Sequence, residues 1–192
     1  MTALTPANQL TLLRMLLIPA FVILVIYGQL GWALISFAVA GMTDGLDGLI
    51  ARRSGQHTQL GAWLDPMADK LLLVTTFIVL TLPGLDLANR FPVWLTVLII
   101  SRDVVIVLTV TIVNLAMGPR TFHPSTYGKI ATGIYIATAV VAMLFNYLRR
   151  QSRVVGVFVY ASLAITLISG LHYIWHAARI LDQPSTSVDQ RD

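Results

Sequence analysis

From Met15 to Thr43 the chain reads MLLIPAFVILVIYGQLGWALISFAVAGMT, without a single charged side chain. A helix crosses the hydrocarbon core of a bilayer with about 20 apolar residues, so this run is too long for one comfortable span. Gly28-Gln29-Leu30-Gly31 breaks it, which predicts helices near 9–27 and 31–51. Further apolar stretches predict spans near 66–83, 92–117, 126–148 and 154–180. The connections between them are short and punctuated by Pro-Gly and Gly-Pro pairs. The fold expected is therefore an all-α integral membrane protein of six transmembrane helices. Residues 1–181 form one membrane domain in this reading, and the polar tail 182–192 is expected to be disordered.

Composition agrees. Of 192 residues, 56% are hydrophobic and 11% charged, against about 25% charged in a soluble domain. The absence of Cys excludes thiol catalysis, thiolate zinc and iron–sulfur ligation. The net charge of +4 comes from basic residues scattered among apolar spans, so no nucleic-acid partner is expected. No positive charge precedes Arg14 and the apolar run continues into a second span, which argues against a cleaved signal peptide. No Arg/Ser-rich transit segment is visible either, favouring a bacterial chain. With the N-terminus in the cytoplasm, that side receives Arg14, Arg52, Arg53, Lys70, Arg120, Lys129, Arg179 and Arg191. The other receives Arg90, Arg149, Arg150 and Arg153. The bias supports a cytoplasmic N-terminus.

All nine acids are Asp, and four of them, Asp44, Asp47, Asp65 and Asp69, fall at the end of the second span and the start of the third. Each costs roughly 2.5–3.5 kcal/mol at the centre of a membrane helix, so their gathering calls for a purpose. Asp44 and Asp47 are i,i+3, and Asp65 and Asp69 are i,i+4. A short linker lets both pairs converge at the cytoplasmic end of the bundle. Their mutual repulsion is offset by divalent cations. Hard oxygen ligands point to Mg²⁺, Mn²⁺ or Ca²⁺ rather than zinc. Two plainer readings compete: helix capping, with Asp65 as an N-cap before Pro66, and a cation pathway in a transporter.

The run Asp44-Gly-Leu-Asp47-Gly48-Leu-Ile-Ala51-Arg52, eight residues, then Gly61-Ala-Trp-Leu-Asp65-Pro-Met-Ala-Asp69 matches D-x-x-D-G-x-x-A-R-x8-G-x3-D-x3-D without substitution. It resembles the signature of the CDP-alcohol phosphatidyltransferase family. Asn8 to Arg14 is also similar to that family's P-N-x-L-T-x-x-R opening, with Ala7 where Pro is usual. The resemblance implies a membrane enzyme in which an acceptor alcohol displaces CMP from a CDP-linked lipid such as CDP-diacylglycerol. It implies two divalent metal ions, Mg²⁺ or Mn²⁺, held by Asp44, Asp47, Asp65 and Asp69, with Asp69 also the base. It implies that Asn8, Thr11, Asp47, Gly48, Ala51, Arg52 and Gly61 lie around the CDP moiety, and that the chain is a homodimer.

Weaker signals concern the acceptor. Arg102-Asp103 lies inside the fourth span and needs an internal pair or a substrate. Arg120, His123, Ser125 and Lys129 flank the start of the fifth span on the side of the acids, and Pro124-Ser125-x-x-Gly128-Lys129-x-x-Thr132 resembles the family's acceptor-side segment. His172 and His176 are i,i+4, but no third metal ligand accompanies them, and Tyr173 and Trp175 beside them suggest an interfacial belt. Family members using glycerol-3-phosphate resemble one another in A-R-E followed by S-G-L-R. Here Asp103 replaces Glu and Val110 stands in place of the second Arg. Ser101-Arg102-Asp103-Val104 looks more like the cardiolipin synthases, whose acceptor is phosphatidylglycerol. The expectation is cardiolipin synthesis, with phosphatidylglycerophosphate synthesis as the alternative. A cation-coupled transporter is the competitor from another class, although the inverted repeats and broken helices of transporters are not seen.

Overall fold

The computed structural model describes residues 6–54, 59–117 and 126–181, with side chains placed at 9–43, 67–109, 111, 115 and 126–175. These residues form six helices: α1 (Pro6–Ile26), α2 (Leu30–Ser54), α3 (Gln59–Thr81), α4 (Val93–Met117), α5 (Thr126–Tyr147) and α6 (Arg153–Leu181). There is no strand among the described residues. Number and order match the sequence expectation. The tail from residue 182 lies outside the described residues.

One boundary differs substantially. The third helix begins at Gln59, a full two turns before Pro66, and runs through Asp65 and Pro66. Asp65 is therefore not the N-cap of this helix. The sequence reading ended the helix where the apolar run ended. Backbone hydrogen bonding continues past that limit, and Pro66 forfeits only its bond to the carbonyl one turn back, as proline also does at Pro19 within α1. Between α2 and α3, residues 55–58 lie outside the described residues.

Among the described residues, three stretches are long and apolar enough to cross a membrane by length and composition: Gln9–Ile26, Thr126–Tyr147 and Arg153–Trp175. Within α2 the apolar stretch among the described residues is Leu30–Thr43. Leu16, Val157 and Leu171 are strongly exposed on the bundle's outside. Helices apolar on the outside as well as the inside are what lipid surroundings require. The chain is an all-α membrane protein.

Helix α1 packs on α2 and α3, α6 packs on α5 and α4, and α2 meets α5. Phe21 and Phe37 join α1 to α2 with ring centroids 5.9 Å apart. Phe77 of α3 stacks on Phe91 at 5.0 Å and meets Tyr135 of α5 edge-on at 5.9 Å. The turn between α1 and α2 reverses at Gly28, whose φ of +71° suits a residue without Cβ.

Several hydroxyls inside the bundle are paired, as lipid surroundings demand. Thr76 donates to the Leu72 carbonyl at 2.7 Å and Thr81 to that of Phe77 at 2.7 Å. At the end of the bundle away from the acids, the α3–α4 loop is latched to the α5–α6 loop. The Asn89 amide N–H donates to Asn146 Oδ1 (2.6 Å), and Asn146 Nδ2 donates to the Asn89 carbonyl (3.1 Å). Asn89 Nδ2 donates to the Arg150 carbonyl (2.7 Å), and the Ser152 N–H to Asn89 Oδ1 (2.9 Å). Asn146→Leu would strand two buried backbone groups of Asn89. It is expected to cost roughly 2–4 kcal/mol, read as a lower unfolding midpoint in detergent with substrate KM values unchanged.

Candidate active site

The helical path through the signature places Asp44 and Asp47 near the end of α2, and Asp65 and Asp69 within the first half of α3. Only residues 55–58 separate the two helices, so all four acids belong to one end of the bundle. The side chains of Asp44, Asp47, Asp65, Asn8, Ala51 and Arg52 lie outside the described residues, although their backbones continue α1 and α2 or α3. Gly48 and Gly61 fall in the same stretches of α2 and α3, and the side chain of His176 on α6 also lies outside the described residues. Arg120, His123 and Ser125 lie outside altogether.

At Asp69 the description of the site's side chains begins. Arg14 Nη1 donates to Asp69 Oδ1. Arg14 is completely buried, whereas the Asp69 side chain keeps 41% of its surface. A guanidinium enclosed between membrane helices has to meet an acid, and the packing of α1 on α3 brings it to this one. Thr11, one turn earlier on α1, is buried as well.

Asp69 stands between two cavities. The first, about 250 Å³, is lined by Asp69, Lys70, Ile99, Arg102, Asp103, Thr132 and Tyr135, among others. Its charged groups form a chain: Lys70 Nζ lies 3.8 Å from Asp103 Oδ2, and Arg102 Nη1 donates to Asp103 Oδ1 at 2.8 Å. Arg102 Nε donates to Ser169 Oγ at 3.2 Å. The second cavity, about 340 Å³, is walled by Phe37, Met42, Leu72, Leu73, Ile136 and Val140, among others. Both include Asp69, Leu73 and Thr132 in their walls. A charged compartment that can hold an anion thus adjoins an apolar one that can hold hydrocarbon, with a carboxylate at the boundary.

Sequence comparison identifies the lineage. The family model for CDP-alcohol phosphatidyltransferase matches residues 4–168. The chain belongs to the CDP-alcohol phosphatidyltransferase family. It is 35% identical over 183 residues to a Mycobacterium tuberculosis protein named probable phosphatidylglycerophosphate synthase, covering 90% of this chain and 81% of that one. It is 36% identical over 162 residues to human cardiolipin synthase (CMP-forming), covering 74% of this chain and 52% of the human protein. A Streptomyces coelicolor cardiolipin synthase (CMP-forming) is 36% identical over 117 residues. As a member of this family the chain is a transferase of phospholipid biosynthesis, and the transporter alternative has no support.

Measured against the sequence expectations, this phosphatidyltransferase does bring Arg102 into the compartment beside Asp69. Lys129 is exposed on α5 and is not among the cavity-lining residues. His172 packs on Tyr127, with ring centroids 4.6 Å apart. Three contributors went unread in the sequence as parts of the site: Lys70, Ser169 and the ion-pairing role of Arg14. Arg14 carried a usable signal, being the sole charge in the first span. Lys70 and Ser169 depend on how helices are registered against each other, which local sequence does not express.

Proposed function

We propose that the chain makes cardiolipin, transferring the phosphatidyl group of CDP-diacylglycerol to phosphatidylglycerol with release of CMP. The observation that carries the acceptor is the charge balance of the compartment beside Asp69. With Asp69 balanced by Arg14, and Lys70 and Arg102 both engaging Asp103, one surplus positive charge is left among the described residues. That suits the single negative charge of a phosphodiester better than the two of glycerol-3-phosphate. Val110, seven residues beyond Asp103, lies about 10 Å further along α4 at 1.5 Å per residue, so no second arginine is supplied from that position. The adjoining apolar cavity supports an acceptor that carries its own acyl chains. One observation favours the alternative: the mycobacterial relative named as a probable phosphatidylglycerophosphate synthase matches 90% of this chain.

In this reading the free glycerol hydroxyl of the acceptor attacks the phosphorus bearing diacylglycerol, and the P–O bond to CMP breaks. Asp69 takes the hydroxyl proton, and Arg14 holds the carboxylate in place. Arg52, Asn8, Thr11, Gly48, Ala51 and Gly61 surround the CDP moiety. Four carboxylates at one end of two consecutive helices are a hard-oxygen donor set that fits Mg²⁺ or Mn²⁺. Such ions, when bound, neutralise the pyrophosphate and stabilise the leaving CMP. Residues 1–181 act as one domain in a homodimer, with the acid end facing the cytoplasm.

Chromatography of the lipid product from purified protein tests the acceptor. Cardiolipin is expected from CDP-diacylglycerol and phosphatidylglycerol. Phosphatidylglycerophosphate from glycerol-3-phosphate, with no cardiolipin, would replace this reading with the alternative.

A further inference from the structure

Helix α6 lies outside the signature, yet it carries a row of buried hydroxyls, Ser162, Thr166 and Ser169, at i, i+4 and i+7. Two of them reach α5: Ser162 Oγ meets Thr138 Oγ1 at 2.8 Å, and Thr166 Oγ1 meets Tyr135 Oη at 2.7 Å. The third reaches α4, where Ser169 Oγ accepts from Arg102 Nε at 3.2 Å. Ser169 Oγ in turn donates a hydrogen bond to the Thr166 carbonyl at 3.2 Å. Its lone pair is thereby oriented towards the guanidinium.

We infer that Ser169 is a positioning residue that fixes the plane of Arg102 and so sets the affinity for a phosphate-bearing acceptor. The inference rests on the proposed role of Arg102 in the acceptor compartment. A guanidinium has five N–H donors in one plane. Two donors are used on different nitrogens, Nε on Ser169 of α6 and Nη1 on the adjacent Asp103. Two anchors on separate helices remove the torsional freedom a single anchor leaves. Among the described residues the remaining donors have no protein partner, and Arg102 lines the cavity. The side chain is accordingly held ready for a planar anion, with the ordering completed before the acceptor arrives. Tyr135, lining the same cavity and held by Thr166, is registered by the same row.

The test uses the full chain in detergent with saturating CDP-diacylglycerol, while phosphatidylglycerol and, separately, glycerol-3-phosphate are varied. Ser169→Ala is expected to raise the KM of the productive acceptor about tenfold, the equivalent of one charge-assisted hydrogen bond. The KM for CDP-diacylglycerol and the saturated kcat stay unchanged, and Ser169→Thr restores the wild-type KM. In an Arg102→Gln or Arg102→Lys background, Ser169→Ala adds nothing, because the group it positions is gone. An unchanged acceptor KM in Ser169→Ala, or an equal and additive loss in the Arg102 backgrounds, overturns the inference. If Arg102→Gln and Arg102→Lys themselves leave the acceptor KM unaltered, the acceptor role of Arg102 falls instead.

Discussion

Addition of EDTA is expected to abolish CMP release, and Mg²⁺ or Mn²⁺ to restore it. Asn in place of Asp44, Asp47 or Asp65 should lower turnover by more than about a hundredfold with the protein still folded, since losing even an outer partner of a metal ligand costs roughly 10–100-fold. The physical ground is the acids' placement at the adjoining ends of α2 and α3. Like charges gathered in a membrane protein repel one another, and compensating positive charge stabilises them together. A rate meter following CMP, run beside a detergent unfolding assay, separates lost chemistry from lost fold. Full activity in EDTA would remove the metal proposal.

The second large effect belongs to the Arg14–Asp69 pair. Removing one partner of a fully buried ion pair costs about 3–5 kcal/mol; here one side is open to water, so the cost is smaller and unequal between the partners. Arg14 is wholly enclosed, whereas Asp69 retains 41% of its side-chain surface. Asp69→Ala is therefore expected to destabilise the protein more than Arg14→Ala, because the enclosed guanidinium loses an ionic partner where water is scarce, whereas the partly exposed carboxylate keeps access to water. Asp69→Asn retains an oxygen acceptor and should stay folded, yet lose turnover more than CDP-lipid binding if Asp69 is the base. Parallel decline of binding and rate would make it chiefly a ligand. Unfolding midpoints and direct binding of the CDP-lipid, measured on the same three variants, check both statements.

The helix order was readable because charge-free runs in a membrane protein leave few alternatives: the interruptions at Gly28 and Gly84 are backbone turns with φ of +71° and +90°. The start of α3 was not readable. Seven residues from Gln59 to Asp65 are only moderately apolar, and a hydrogen-bonded helix does not end where hydropathy declines. The site divides the same way. Acids stand out against an apolar background, so Asp69 was found. Ser169 is one hydroxyl among several on α6, and only its distance of 3.2 Å from Arg102 Nε distinguishes it.

The Asn89 latch also bears on the order in which the chain can be completed during synthesis. Asn89 finds its partners at Asn146, Arg150 and Ser152, which follow it by 57, 61 and 63 residues. Until those residues emerge, the first four helices have been made but the loop joining α3 to α4 must leave its polar groups to water. Closing so long a loop has an entropic cost that local contacts do not repay. The first half of the bundle can therefore be inserted early, whereas its far end is sealed only after α5 is finished and α6 has begun. A chain truncated before Asn146 should expose this loop to protease although its α1–α2 pair is already packed.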